Sequence, residues 1–124
     1  MNLTVAYNTE LRDRVLQQLV QFGEVHGRAM FGGYGLFERG AIFGLINGDT
    51  LYFKVDDASK PQYVDAGSRP FNPYGDPEDT LFYYSVPDDL FADGERLLHW
   101  WKEAVRVGHR TRRRRASSSR RRAR

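Results

Sequence analysis

Three short apolar runs, each followed by a turn signal, restrict the fold more than any other feature of this sequence. The runs occupy residues 34–38, 41–46 and 50–55. Arg39-Gly40 lies between the first two runs, and Asn47-Gly48 lies between the second and the third. Asn-Gly between apolar runs is a strong signal for a β-hairpin, because a type I′ turn needs positive φ at both central residues. The spacing therefore predicts an antiparallel meander of three strands.

The third run indicates which side of the sheet is buried. Leu51, Phe53 and Val55 alternate with Tyr52 and Lys54. Successive side chains of a strand point to opposite faces, so the two sets lie on different faces of the sheet. We expect the face with the three apolar residues to be buried and the face that carries Lys54 to be wetter.

Helical periodicity and one more apolar run complete the predicted fold. Apolar residues recur at helical spacing over 9–22, a short helix is predicted over 58–66, and a long amphipathic helix over 89–107. The aromatic-rich run 80–86 predicts a fourth strand, which the proline after it ends. The order α-β-β-β-α-β-α, with helices at both ends of a meander, predicts a two-layer α+β domain with the terminal helices packed on an antiparallel sheet.

Charge divides the chain into two unequal parts. Residues 1–109 contain ten Lys or Arg against sixteen Asp or Glu, which gives a net charge of −6. Residues 110–124 contain nine Arg and no acid, which gives +9. A segment of this composition, with two alanines and no large apolar residue, cannot build a core. We therefore expect a folded domain over 1–109 and a disordered arginine-rich tail over 110–124.

The tail is the clearest candidate for a binding segment. Clustered arginines neutralise phosphates and release counterions from nucleic acid, but a flexible segment has no fixed geometry for base recognition. The expected partner is nucleic acid, bound without sequence preference. The alternatives are another polyanion, a membrane surface, the acids of the domain itself, or a solvated tail that contacts nothing in particular. The arginines concerned are Arg110, Arg112, Arg113, Arg114, Arg115, Arg120, Arg121, Arg122 and Arg124.

Within the domain, Arg28 and Lys54 are the best candidates for contact with an anion or a partner. The alternative is an ion pair between one of them and a nearby acid such as Glu38 or Asp56, which the negative charge of the domain favours. The glycines of the stretch MFGGYGLF at 30–37 do not form a phosphate loop, because they lead into a strand and no Lys-Ser or Lys-Thr follows. We interpret them as a tight entry into that strand.

Several stretches resemble the N-terminal domain of the TfoX family, which is named after bacterial regulators of natural competence. The pairing of the patterns RxMFGGxG and LYxKxD is the most specific part of the resemblance, which covers roughly residues 9–107. The matching residues are Arg28–Phe37, Gly40, Phe43-Gly44, Leu51–Asp56, Gly67–Phe71, Tyr84–Pro87, Leu97 and Trp101. The resemblance implies a stand-alone α+β domain with a fold similar to secretion chaperones, a role in competence or transcription regulation, and no established catalytic residue.

The functional prediction is a cytoplasmic, non-enzymatic regulatory or adaptor protein. No arrangement of residues indicates a catalytic, cofactor or metal site: the sequence has no cysteine, and its three histidines lack the spacing of metal ligands. The N-terminus does not resemble a signal peptide, and no apolar run is long enough to span a membrane. A protein-interaction or dimerisation module is the first alternative, and a small-ligand-binding protein or enzyme with a cleft near Gly32–Tyr34 and Lys54 is the second.

Overall fold

A computed structural model describes residues 6–30, 32–72 and 82–122, and it describes the side chains as far as residue 117. A short 3₁₀ helix over Asp88–Ala92 precedes the last α-helix. The α-helices and β-strands are α1 Thr9–Leu19, β1 Val25–Met30, β2 Gly33–Glu38, β3 Ala41–Asn47, β4 Thr50–Lys54, α2 Lys60–Asp65, β5 Tyr83–Ser85 and α3 Gly94–Arg122.

The strands form one five-stranded antiparallel sheet in the order β1-β2-β3-β4-β5. The α+β class and the meander are therefore confirmed, with one strand more than the sequence predicts. The additional strand is β1, which pairs with β2 through six residues from Val25 to Met30. Its sequence, VHGRAM, has a single buried residue, so it lacks the apolar alternation by which a strand is recognised.

The core lies between one face of this sheet and helices α1 and α3. Leu36, Phe43 and Phe53 of the sheet are fully buried. Trp101 of α3 packs edge-on against Phe43 with the ring centroids 6.1 Å apart, and Leu19 closes the layer from α1. Burial of large apolar side chains stabilises the fold by roughly 1.5–3 kcal/mol each, so this face fixes where both helices lie.

Both hairpins are present, but the second turn differs from the prediction in its central residues and its type. Arg39 and Gly40 have φ of 49° and 84°, so the turn between β2 and β3 has the two positive angles of a type I′ turn. Asn47 pairs with Thr50, which makes Gly48-Asp49 the central pair of the next turn. Of these two, only Gly48 has positive φ. The prediction of a type I′ turn centred on Asn47-Gly48 is therefore wrong.

The predicted helices and the fourth strand are present with altered bounds. α1 ends at Leu19 rather than near residue 22, and α2 has its proline in the first turn, as expected. β5 covers 83–85 of the predicted run 80–86. Residues 80 and 81 lie outside the described part of the chain.

The largest difference concerns the C-terminal segment. The sequence predicts disorder from residue 110, whereas α3 continues as helix to Arg122. The physical reason is that a helix already formed on the core needs no new nucleus, and each added residue forms one more hydrogen bond. Arginine, which makes up nine of the fifteen residues of the segment, is a good helix former. Low apolar content therefore excluded a core without excluding a helix.

Candidate cationic site

The face of the sheet opposite the core, called here the second face, has its own set of side chains. Directly paired residues share a face, and the register pairs Phe37 with Ile42 and Lys54 with Tyr83. Leu45 lies between these pairs on the same face, opposite Tyr52. The second face is thus a strip of apolar and aromatic side chains with a lysine within it.

Helix α3 reaches this strip where it crosses β3. A side chain at Gly108 would collide with the backbone carbonyl of Ile42, so glycine permits the closest approach of helix and strand. The residues that follow at helical spacing, Thr111, Arg112 and Arg115, line a cleft of about 450 Å³ between α3 and the second face. We call this the cationic cleft; its charged lining residues are Arg28, Lys54, Arg112 and Arg115.

Lys54 is the most unusual member of the cleft. Its relative exposure is 5%. The expectation of a wetter face holds for Tyr52, which is half-buried on the same face, but it fails at Lys54 itself because α3 covers this part of the sheet. Its ammonium lies 5.4 Å from the centre of the Tyr83 ring, a cation–π contact. Burial, with a smaller contribution from Arg115, lowers the pKa of Lys54 to about 8.

Carboxylates near this region are paired with other cations. Glu38 Oε1 lies 2.6 Å from His109 Nε2, and Asp56 forms ion pairs with Arg106 and Arg110. Within residues 6–30, 32–72 and 82–117, no salt bridge includes Arg28 or Lys54. The alternative in which Glu38 or Asp56 neutralises them is therefore not found there.

The same two acids hold α3 against the domain. Burial alone would raise the pKa of Asp56, but hydrogen bonds from Ser59 and the charge of Arg106 lower it overall. Ser59 donates its backbone N–H to Asp56 Oδ1 at 2.9 Å. Further along α3, Arg112 donates from Nη1 to the carbonyl of Arg39 at 3.3 Å. These contacts fix the direction of the helix just as it leaves the core.

The predicted nucleic-acid-binding arginines therefore have different surroundings. Arg110 is paired with Asp56, Arg112 and Arg115 line the cleft, and Arg113 and Arg114 are exposed. The remaining predicted arginines are Arg120, Arg121 and Arg122, which belong to α3 but whose side chains lie outside the described ones, and Arg124, which lies outside the described residues.

The glycine stretch behaves as a turn. Gly32 has φ of 78° in the connection between β1 and β2. Gly33 and Tyr34 line a neighbouring pocket of about 140 Å³, whereas Lys54 belongs to the cationic cleft. Neither of these two clefts, both lined by described residues, brings Gly32–Tyr34 together with Lys54.

The sequence analysis did not predict that part of the arginine segment lies in the same cleft as Arg28 and Lys54. A signal for it exists, because Gly108, Thr111 and Arg115 continue the i, i+3, i+7 spacing of the apolar stripe that ends at Ala104. Tyr83 was also missed as a neighbour of Lys54. That contact depends on the register between β4 and β5, which no local pattern specifies.

Two further findings concern the described part of the chain. No helix there combines the length and the apolar character that a membrane-spanning segment requires. No group of three or more metal-ligating side chains comes together among the residues described.

Comparison with known protein families matches the TfoX N-terminal domain over residues 17–107. Comparison with the curated proteins finds no match. The family match covers well over half of the 124 residues and includes β1 to β5 and the first part of α3. It ends at Val107, one residue before α3 crosses β3, so the arginine-bearing end of the helix lies beyond it. On this evidence the chain belongs to the TfoX N-terminal domain family.

Proposed function

We propose that this protein is a cytoplasmic, non-enzymatic regulatory or adaptor protein that binds nucleic acid without sequence preference through the arginines of α3. Its membership of a family named after competence regulators supports a regulatory role. The absence of cysteine from the 124 residues is compatible with a reducing compartment. The binding proposal depends on the charge at the end of α3.

The observation that carries the proposal is the run of four exposed arginines, Arg112–Arg115, on a helix that projects from an acidic domain. Of residues 110–117, only Arg110 forms a salt bridge among the described side chains. Most of the positive charge in that stretch is therefore not neutralised by the domain's own described acids. This positive charge can therefore interact with phosphate groups.

The arrangement supports contact with the phosphate backbone rather than base recognition. Consecutive residues of an α-helix are about 100° apart around its axis, so Arg113 and Arg114 point in different directions from Arg112 and Arg115. Recognition of a base sequence needs several side chains directed into one groove. A helix with arginines around it instead provides charge in every direction, which produces salt-dependent binding.

The test is a salt titration of binding to random duplex DNA with the full-length protein. If six to nine arginines engage phosphates, the log–log slope of affinity against salt is on the order of −5 to −8. Changing both Arg113 and Arg114 to Gln reduces the slope by roughly 2, since each lost phosphate contact contributes about 0.9.

The matched control changes Arg96 and Lys102 to Gln. These cations are exposed on the first part of the same helix, and the substitution alters the net charge by the same amount. We expect the control to leave the slope within about 0.5 of the wild type. Equal reductions in the two double variants would show that the end of α3 is not the binding segment, and the proposal would be abandoned.

A protein-interaction or dimerisation module is the second candidate. Phe82, immediately before the edge strand β5, is 62% exposed, and an edge strand presents unpaired backbone groups to a partner. Sedimentation at several concentrations tests this candidate. A stable dimer that Phe82→Ser dissociates, together with no DNA binding at low salt, would favour it over nucleic-acid binding.

A further inference from the structure

We propose that the cationic cleft is a binding site for a small phosphorylated molecule with an apolar, planar body, that is, a mononucleotide. The inference goes beyond non-specific attraction to a polymer, because it assigns a defined site to Arg28, Lys54, Arg112 and Arg115. Three features of the cleft support it: a buried lysine, the convergence of four cations, and an apolar floor.

The buried lysine is the first feature. A charged side chain is rarely buried without a partner, because the loss of hydration disfavours the charged form. Lys54 is 5% exposed, forms no salt bridge with any acid of the described residues, and borders the cleft. Its pKa of about 8 leaves it protonated at pH 7. An anion in the cleft would supply a counter-charge that the described residues do not provide for Lys54.

The number of cations distinguishes phosphate from carboxylate. Arg28 on β1, Lys54 on β4, and Arg112 and Arg115 on α3 converge on a single cleft, and no carboxylate is among its described lining residues. A carboxylate brings one negative charge, whereas a phosphate monoester carries between one and two at neutral pH and offers three acceptor oxygens. Guanidinium groups match such oxygens with paired N–H donors.

The floor of the cleft indicates the chemistry of the part of the ligand that is not phosphate. Phe37, Ile42 and Leu45 form an apolar surface beside the cations. The Arg28 guanidinium lies over the Phe37 ring, 5.0 Å from its centre, so a planar cation covers this part of the floor and offers a nucleobase a flat, charged surface. A volume of about 450 Å³ falls within the range of small-molecule sites, roughly 300–1,000 Å³. Aromatic stacking with a nucleobase suits this floor.

The cleft uses one side of α3, whereas the proposed DNA-binding surface also includes the other side of the helix. Arg112 and Arg115 are one turn apart and line the cleft, while Arg113 and Arg114 are exposed and do not line it. Substitutions on the two sides therefore separate the two proposals. A wild-type protein that binds a nucleotide but not DNA would overturn the proposed function alone, and one that binds DNA but no nucleotide would overturn this inference alone.

The experiment is calorimetric titration of the full-length protein with the four nucleoside monophosphates, with adenosine and with inorganic phosphate. We expect at least one monophosphate to bind at least tenfold more tightly than phosphate or adenosine, since it engages both the cations and the floor. Arg115→Gln weakens that binding about tenfold, because it removes a charge-assisted contact, while Arg113→Gln leaves it unchanged. Equal effects of the two substitutions would overturn the proposal, as would equal affinity for phosphate and the nucleotide.

The pH dependence of nucleotide affinity provides a second test. Between pH 7 and pH 9 Lys54 loses its proton, whereas the arginines that face it, Arg28, Arg112 and Arg115, stay charged and burial raises the pKa of Tyr83 to about 12. Nucleotide affinity should fall about tenfold over this interval in the wild type. Lys54→Met should remove the pH dependence, and Lys102→Met, an exposed lysine elsewhere on α3, should retain it. Unchanged affinity from pH 7 to pH 9 would exclude Lys54 from the site and overturn the assignment.

Discussion

The two halves of α3 are one continuous helix, but they are held in place by different forces. In the first half, Gly94–Val107, the apolar stripe of Leu97, Trp101 and Ala104 is buried against the sheet. In the second half, from Gly108 onward, residues 112–117 are all exposed. That half is positioned by the close approach at Gly108 and by a few polar contacts, chiefly those with Glu38 and Asp56.

The comparison teaches that continuous helical geometry does not imply uniform local stability. Burial of large apolar side chains contributes several kcal/mol to the first half, whereas partly exposed ion pairs contribute about 1 kcal/mol or less each. Regions with few buried contacts open at lower free energy than the core. The second half of α3 is therefore the part of the helix that substitution can displace while the domain stays folded.

The largest effect is expected for Lys54→Met, since the cationic half of α3 covers this lysine. Methionine keeps the length of the side chain and removes a buried charge, so the free energy of unfolding at pH 7 should increase by about 3 kcal/mol, the equivalent of the lowered pKa. Urea denaturation measures the change, with Lys102→Met as the exposed control. A loss of stability at pH 7 would contradict the assignment of Lys54 as a buried charge without a described partner.

The pH dependence of that gain has a definite sign. The pKa of Lys54 in the folded protein is about 8, below its ordinary value near 10.4. Below pH 8 the lysine is protonated in both states and the full penalty for burying its charge is present. As the pH rises from 8 to about 10, the folded protein releases the proton first and the penalty disappears. The advantage of the methionine variant should therefore shrink over this interval.

A smaller effect is expected for Gly108→Ala, which tests the junction between the two halves. A β-carbon at this position would collide with the carbonyl of Ile42, and overpacking of this kind destabilises by about 1–3 kcal/mol. Gly94→Ala is the matched control, because the space around Gly94 is open and alanine favours helix. If both variants have the same melting temperature, α3 does not pass this close to β3.

The smallest effect is expected for Asp56→Asn, which removes the charge that holds Arg106 and Arg110 but keeps an oxygen for Ser59. We expect a loss of about 1 kcal/mol and faster amide exchange after Gly108, with exchange over 97–105 unchanged. Because the pKa of Asp56 is lowered in the folded protein, its contribution is present above the ordinary carboxyl pKa. That contribution is lost as the pH falls through the folded value, so variant and wild type should converge in acid.

Asp57→Asn is the control for that experiment. Asp57 is exposed, neighbours Asp56 and forms no salt bridge with the described side chains. Amide exchange that increases equally along both halves of α3, or equally in the two variants, would show that the Asp56 contacts do not position the second half.

Much of the fold could be predicted because its signals are local. Each of these signals depends on a few neighbouring residues, whose periodicity directly reflects strand or helix geometry. Examples are the alternation of Leu51 and Phe53 with polar neighbours, the turn at Arg39-Gly40 and the helical spacing before Gly23. Strand β1 was not predicted, because it has no such local signal. Its membership of the sheet comes from pairing with β2 rather than from a pattern of its own.

The site was harder to predict because it depends on residues distant in the chain. The sequence identified Arg28 and Lys54 as candidates for anion contact. It identified Arg112 and Arg115 only as part of a basic segment, and it did not predict that the four residues line one cleft. Their proximity requires the register of the sheet and the continuation of α3 past Gly108. The expected disorder after residue 109 treated the segment as isolated, whereas an established helix reduces the cost of extending it.

By itself the sequence determined the class of fold, the buried stripe of each main element and the separation of acidic from basic charge, because these depend on side-chain type and short-range periodicity. Only the tertiary structure decided where the basic charge lies. It buries Lys54 under α3 and directs Arg112 and Arg115 toward the second face of the sheet. The physical reason is that burial and electrostatic environment depend on which surfaces meet in three dimensions, and no local pattern encodes that meeting.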